Sequence, residues 1–194
     1  SYQESWDNSG MQVGNTATDI SAALLTTDIT ESVVREAVDK GCNLIISHHP
    51  LLFHGLKHIC GLTPQERCVA LAIRHGIAIY SSHTAMDAAL HGVSGRMADL
   101  LGVQHYRILV AAHPGAEYGL GVIGTLPAPI PYNDFLHRVR DRFGAEYVRY
   151  TAPPNDPVQR IALCGGAGAE FSEEAIRQGA DVYLTADCKY HEMQ

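Results

Sequence analysis

Residues 43–53 read NLIISHHPLLF, and the fold turns on how this stretch is read. Residues 43–46 are a short apolar run behind the turn signal Lys40-Gly41-Cys42, the pattern of a buried strand. The strand runs into Ser47, His48, His49 and Pro50. In open α/β sheets, ligands bind at the carboxyl ends of the strands. Neutral imidazole is the commonest metal-ligating side chain near neutral pH. Neighbours on a regular strand point to opposite faces, so His48 and His49 are not expected to grip one ion from within a strand. At a strand end, with Pro50 fixing the exit, each ring can serve one of two nearby ions. The plain alternative is a pair of loop histidines hydrogen-bonded to backbone.

Working outward, residues 21–27 (SAALLTT) read as a strand, and Thr30 has the hydroxyl of a helix N-cap. Val33, Val34, Ala37 and Val38 form one face of a helix over 31–40, which Gly41 stops. Residues 21–49 are therefore a strand, a helix and a strand, with parallel strands and a right-handed crossover. Downstream, Thr63 and Pro64 open a helix over 65–75, with Cys68, Val69, Leu71, Ala72 and Ile73 as its apolar surface. A third strand, 77–81, leads into Ser82-His83-Thr84-Ala85-Met86-Asp87. In a parallel sheet this second polar cluster falls on the same edge as His48 and His49. Asp87 is the candidate carboxylate of a mixed His/Asp site, although Thr84-x-x-Asp87 also resembles a capping box. His83 is a candidate ligand, a partner behind a ligand, or a proton donor. His54, His58 and His91 are expected to be solvated.

Elsewhere the signals are local. Asp7-Asn8-Ser9-Gly10 reads as a turn, and Trp6, the only tryptophan, as a hydrophobic anchor. A helix is expected over 92–101, an extended segment over 103–110, a turn at 113–115 and a strand over 120–126. Pro127, Pro129 and Pro131 suggest a stiff connection. A helix over 132–143 carries Phe135, Leu136, Val139 and Phe143 on one side. A strand is expected over 145–151, then a loop through Ala152-Pro153-Pro154-Asn155 and Pro157.

The end of the chain resembles its beginning. Placing Gly179 under Gly41, an offset of 138, sets Leu163 under Leu25, Glu174 under Glu36, Asp181 under Asn43 and Thr185 under Ser47. Ala186 and Asp187 then fall under His48 and His49. The alignment implies two related α/β lobes. The glycines of Cys164-Gly165-Gly166-Ala167-Gly168 suit either an anion at a helix N-terminus or a tight turn.

Composition narrows the function. The chain has 194 residues, 46% hydrophobic and 18% charged, enough for a sizeable core in one domain or two small lobes. A net charge of -7 argues against general nucleic-acid binding but leaves room for a small phosphorylated ligand. No apolar run approaches the roughly 18 residues of a membrane span. Five cysteines with no C-x-x-C pair read as reduced thiols and a cytoplasmic setting. Eleven histidines, seven of them within positions 48–91, raise the expectation of metal chemistry. The sequence opens on Ser1, so its natural start is expected upstream.

With SWDNSGMQVG (5–14), IISHHPLLFHGL (45–56), SSHTAMD (81–87) and GADVYLTADCKYHE (179–192) in this order, the sequence resembles the NIF-three-like family of GTP cyclohydrolase I type 2 homologs. The resemblance implies α/β lobes with mostly parallel sheets flanked by helices and a metal cleft between them. The lobes would be residues 1–112 and 113–194. It implies two divalent ions (Zn, Mn, Fe, Co or Ni) held in part by His48, His49 and Asp87. His83, Asp187, Lys189 and His191 would lie behind the ligands or meet the substrate. It further implies a hexameric ring and a hydrolase of a nucleotide-like or phosphorylated small molecule. A metal-binding regulatory protein without turnover is the rival reading, since no nucleophile–base pair or P-loop stands out. The family completes its site with a His and a Glu near its C-terminus. This sequence stops at Gln194 before such a motif and is expected to be a fragment.

Overall fold

A computed structural model of the protein describes residues 2–151 and 157–193. The chain forms two compact units, Gln3–Met86 and Asp87–Gln194, with Tyr2 counted in the second. The loop expected at Ala152 to Asn155 lies outside the described residues. The division falls after Met86 rather than near residue 112, and packing explains why. The helix Val93–Leu101 buries Ala98 and Leu101 in the core of the second unit, so it goes with the strands that follow it.

The first unit is built on β1 (Gly10–Val13), β2 (Ala23–Thr26), β3 (Leu44–Ser47) and β4 (Ala78–Ser81), in the order β1-β4-β3-β2. β2, β3 and β4 run parallel, and β1 is antiparallel to β4. Helices α1 (Glu31–Asp39) and α2 (Pro64–Arg74) make the crossovers. Thr30 caps α1 by accepting the Val33 N–H at 3.3 Å, as its hydroxyl suggested. Val34 and Ala37 of α1 and Cys68, Val69 and Ala72 of α2 pack with Ile45 and Ile79 of the sheet. β1 is the surprise, because the sequence shows only a turn there. It is four residues long, lies at a sheet edge and carries no alternating pattern of its own.

Glu66 of α2 is buried and ties down the loop before its own helix. Its carboxylate accepts the Thr63 hydroxyl at 3.1 Å and the N–H groups of Cys60 and Leu62 at 2.9 and 3.1 Å. The Cys60 N–H is the largest influence, burial opposes it, and Leu62, Thr63 and His58 add to it; together they lower the Glu66 pKa. A lowered folded-state value means stability that is present above the unfolded carboxyl's pKa and is lost as pH falls through the folded one. Glu66→Gln should therefore lie furthest below wild type at neutral pH. The gap should close as pH falls below about 4, the ordinary glutamate range. Urea denaturation at several pH values reads this directly, and a gap that does not change with pH would refute it.

Helix α3 (Thr84–Asp87) spans the division, and α4 (Val93–Leu101) follows. The second unit contains β5 (Gln104–Ala111), β6 (Gly119–Ile130), α5 (Tyr132–Phe143), β7 (Val158–Ala167), α6 (Ser172–Arg177) and β8 (Val182–Ala186). Its sheet order is β5-β6-β7-β8, with two antiparallel ladders and a parallel one between β7 and β8. The core gathers Leu101 of α4, Phe135 and Val139 of α5, Val122 and Leu126 of β6, and Ile161 and Leu163 of β7. Three local expectations need correcting. Pro127 and Pro129 lie inside β6, where its ladder to β7 is interrupted between Thr125 and Ile130, so their missing N–H groups cost no pairing. Residues 145–151 are not a strand: the sheet ends at β5 and β8, and this segment pairs with neither. Phe143 closes α5 more than a third exposed instead of joining the core.

The repeat survives at the level of single hydrogen bonds. β2 pairs β3 through Ala23↔Leu44, Leu24↔Ile45 and Leu25↔Ile46. β7 pairs β8 through Ile161↔Val182, Ala162↔Tyr183 and Leu163↔Leu184, the same three pairs moved by 138 positions. Asn43 accepts the Ser21 N–H at 2.9 Å, and Asp181 accepts that of Gln159 at 2.8 Å. The Cys42 N–H bonds the Ala37 carbonyl, and that of Ala180 bonds Ala175. Gly41 and Gly179 both turn the chain at positive φ, 67° and 74°.

Candidate metal site

The histidine pair stands where β3 stops. Ser47, its last residue, is buried and donates its hydroxyl to the His49 carbonyl at 2.8 Å. Its oxygen also lies 2.8 Å from that of Ser81 at the end of β4. The N–H groups of His48 and His49 reach the carbonyls of Thr26 and Thr27 at 3.1 and 3.0 Å. The chain has left β3 by then, so strand alternation no longer separates the two rings. His48 and His49 lie 4.8 Å apart, centroid to centroid, and His83 is 5.3 and 5.6 Å from them. One ring nitrogen from each of the three can be chosen so that all lie within 4.8 Å of one another. His83 is thus a full member of the cluster.

Two carboxylates stand behind these rings. His49 Nδ1 is 2.7 Å from Asp28 Oδ1, and His83 Nδ1 is 2.8 Å from Asp7 Oδ1. Asp7 is fully enclosed. It accepts the Asn8 N–H at 2.7 Å, the Ser9 hydroxyl at 2.7 Å, and the N–H and hydroxyl of Thr84 at 3.1 and 2.6 Å. Burial pushes its pKa up, but the bonds from Thr84, His83, Ser9 and Asn8 outweigh burial and hold the carboxyl well below the usual range. The same loop grips the histidine turn: the Asn8 side chain donates to the Leu52 carbonyl at 2.6 Å, and Gln12 accepts the Leu52 N–H at 3.1 Å. Residues 7–12 are thus a brace for the site. Trp6 is 60% exposed, which corrects the expectation of a buried anchor. Its ring lies edge-on to His83, beside Phe53. A cavity of about 180 Å³ opens beside His49, lined by Asp28, Ile29, Pro50, Leu51, Pro64 and Gln65.

The other candidates are placed as follows. Asp87 ends α3, one turn beyond His83, and counts with the second unit; it is not one of the three grouped residues. Asp187 follows β8 at φ 52°, at the repeat position of His49. The Lys189 N–H donates to Glu192 at 2.6 Å, and His191 packs against Tyr190. His54, His58 and His91 are exposed, as expected, and His58 and His91 also meet Glu66 and Tyr106. Asp7 and Asp28 were missed because nothing local ties them to the histidines. Asp7 and His83 are 76 positions apart.

Other chemistry is less well served. All five cysteines are free thiols, but burial, then Asp87, pushes Cys164 up to about 11, and burial also raises Cys68. Neither is a ready nucleophile near neutral pH. In the glycine-rich turn, the Gly168 N–H is taken by the Thr185 hydroxyl at 3.0 Å, and Thr185 donates to the Gly166 carbonyl. That is the tight-turn alternative.

Three imidazoles, two of them backed by carboxylates, suit a divalent transition metal: the donors are ring nitrogens, and histidine ligands usually give their second N–H to a carboxylate or carbonyl. Comparison with known proteins agrees with the fold. The GTP cyclohydrolase 1 type 2 homolog of Streptococcus pneumoniae is 33% identical over 192 residues, covering 97% of this chain and 71% of the relative. The NIF3 homolog of Schizosaccharomyces pombe is 31% identical over 201 residues, covering 98% and 71%. The crystal structure of Staphylococcus aureus protein SA1388 superposes with a TM-score of 0.90 at 28% identity, over 98% of this chain and 75% of that one. The profile of one family, Duf34/NIF3 (NGG1p interacting factor 3), matches residues 1–194, and the chain belongs to that family.

Proposed function

We propose that the protein holds two divalent metal ions through His48, His49 and His83, with Asp87 as the acidic ligand. We further propose that it is a metal-dependent hydrolase of a nucleotide-like or phosphorylated small molecule. The convergence of three imidazole nitrogens within 4.8 Å carries this reading. The substrate class follows the name of the relatives, GTP cyclohydrolase 1 type 2 homolog. A bound ion would supply a Lewis acid and a water of lowered pKa. The chain's own part is positional. Ser47 and Ser81 fix the turn that displays His49, and Asp7 fixes His83. Trp6 and Phe53 place apolar rings beside His83. Lys189, with Asp187 and His191, is assigned to substrate contact or to support of the site. Zn, Mn, Fe, Co and Ni all suit nitrogen and oxygen donors. A hexameric ring in the cytoplasm completes the proposal. Among the described residues, no helix is long and apolar enough to cross a membrane.

Elemental analysis of purified protein tests the site. Wild type should carry divalent transition metal, and His48→Ala/His49→Ala should carry none. Equal metal in both would end the reading. The rival, a metal-binding protein without turnover, is separated by assaying the metal-loaded protein against GTP and a panel of phosphate esters. Hydrolysis that disappears in the double variant supports the enzyme, and metal binding without any turnover supports the rival.

A further inference from the structure

The two carboxylates behind the histidines are not equivalent. The Asp7 side chain is fully enclosed and that of His83 is 19% exposed, whereas Asp28 and His49 are 66% and 50% exposed. A carboxylate oxygen can only accept, so each of these rings must carry its proton on Nδ1. The lone pair of each neutral ring is then on Nε2. We propose that Asp7 is a positioning residue that locks His83 in the Nδ1–H tautomer, so that its Nε2 lone pair is ready before metal arrives. Asp28 is a looser, replaceable counterpart behind His49. The proposal rests on the metal-binding reading for its consequence, and on the hydrogen bonds of Asp7 for its substance.

Asp7 has no freedom to do otherwise. Oδ2 faces the Ser9 hydroxyl and both the N–H and hydroxyl of Thr84. Oδ1 faces the Asn8 N–H and His83. The clamp is itself held, since Thr84 Oγ1 accepts the Glu4 N–H at 3.0 Å and the His83 N–H donates to Ser9 Oγ at 3.2 Å. Consider Asn at position 7. Its amide oxygen takes the Oδ2 side, where the Thr84 N–H can only donate and the Ser9 and Thr84 hydroxyls, which already accept the His83 and Glu4 N–H groups, have their protons to give. The Asn8 N–H bond on the other side is lost. The NH2 then faces His83 Nδ1 and donates to it. The ring proton moves to Nε2, and the lone pair that would meet a metal is gone. Asn at position 28 is different. Asp28 is exposed, and among the described residues its carboxylate bonds only His49, so an amide there can turn its oxygen to Nδ1–H and keep the tautomer.

The test reads the imidazole nitrogens themselves. In metal-free wild type, nitrogen-15 NMR of the neutral ring should show His83 protonated on Nδ1; a His83 protonated on Nε2 would overturn the proposal without any variant being made. Asp7→Asn should reverse the tautomer and weaken zinc binding about 10- to 100-fold. Asp28→Asn should retain the His49 tautomer and change zinc affinity less than about fivefold. A folded Asp7→Asn protein with the wild-type tautomer and affinity would also overturn it. A merely structural role for Asp7 would lower stability without reversing the tautomer. If wild type takes up no zinc while His83 carries its proton on Nδ1, the metal-binding reading fails and the role of Asp7 stands.

Discussion

Phe135→Ala is expected to lower the unfolding free energy of the second unit by about 3–5 kcal/mol, the range for removing a buried aromatic ring. Phe135 is 1% exposed and sits on the α5 face that packs against the sheet. Its neighbours in the core are Leu101 of α4, Val122 and Leu126 of β6, and Ile161 and Leu163 of β7. These come from three different elements, so no single segment can shift to fill the hole, and the cavity cost stays high. A loss of that size is a large part of the roughly 5–15 kcal/mol that domains possess. Phe143, eight positions along the same helix, is the control. It is 37% exposed, and Phe143→Ala should change stability by no more than about 0.5–1 kcal/mol. Denaturant unfolding measures both, and hydrogen exchange should show lost protection in β6, β7 and α5 for Phe135→Ala. Equal effects at the two positions would show that the core is not where these side chains place it.

The same contrast explains what the sequence could reveal. Elements with strong local signals were legible: the capped, amphipathic α1 and α2, and the apolar β3 running into its histidines. The repeat was legible because an offset that aligns turns also aligns register, down to the shared Asn43 and Asp181 bonds. What failed was non-local. β1 is a strand only because it pairs along the edge of β4, and residues 145–151 are not one because they pair with neither edge of the second sheet. His83 was legible as a cluster member only in part, and Asp7 not at all. Their meeting depends on β1 bringing residues 7–9 alongside the end of β4, with Gly10 paired to Ser81. A turn signal such as Asp7-Asn8-Ser9-Gly10 says that the chain bends there. It does not say what the bend is held against.

Gly14 is where that arrangement is most exposed to a single methyl group. It follows β1 at φ 114°, a conformation that side chains rarely tolerate. A Cβ there would lie 2.8 Å from both Cα and Cβ of Ala78, the first residue of β4. Gly14→Ala must therefore strain the backbone, at about 1–3 kcal/mol, and push the two strands apart, at a similar cost for overpacking. The expected loss is about 2–6 kcal/mol, centred on the first unit. The displacement has a functional consequence, because β1 follows the loop that carries Asp7 and β4 leads to His83. With the metal site as proposed, zinc affinity should fall together with stability. Gly41→Ala separates this from a general glycine effect: Gly41 also has a positive φ, 67°, but a Cβ there meets nothing within 4 Å. It should cost only about 1–2 kcal/mol, the penalty of a left-handed residue, and leave zinc binding close to wild type. Thermal unfolding and zinc titration on the two variants decide the matter. A Gly14→Ala protein as stable and as tightly zinc-binding as Gly41→Ala would mean that β1 and β4 do not approach at Ala78, and the brace behind His83 would lose its foundation.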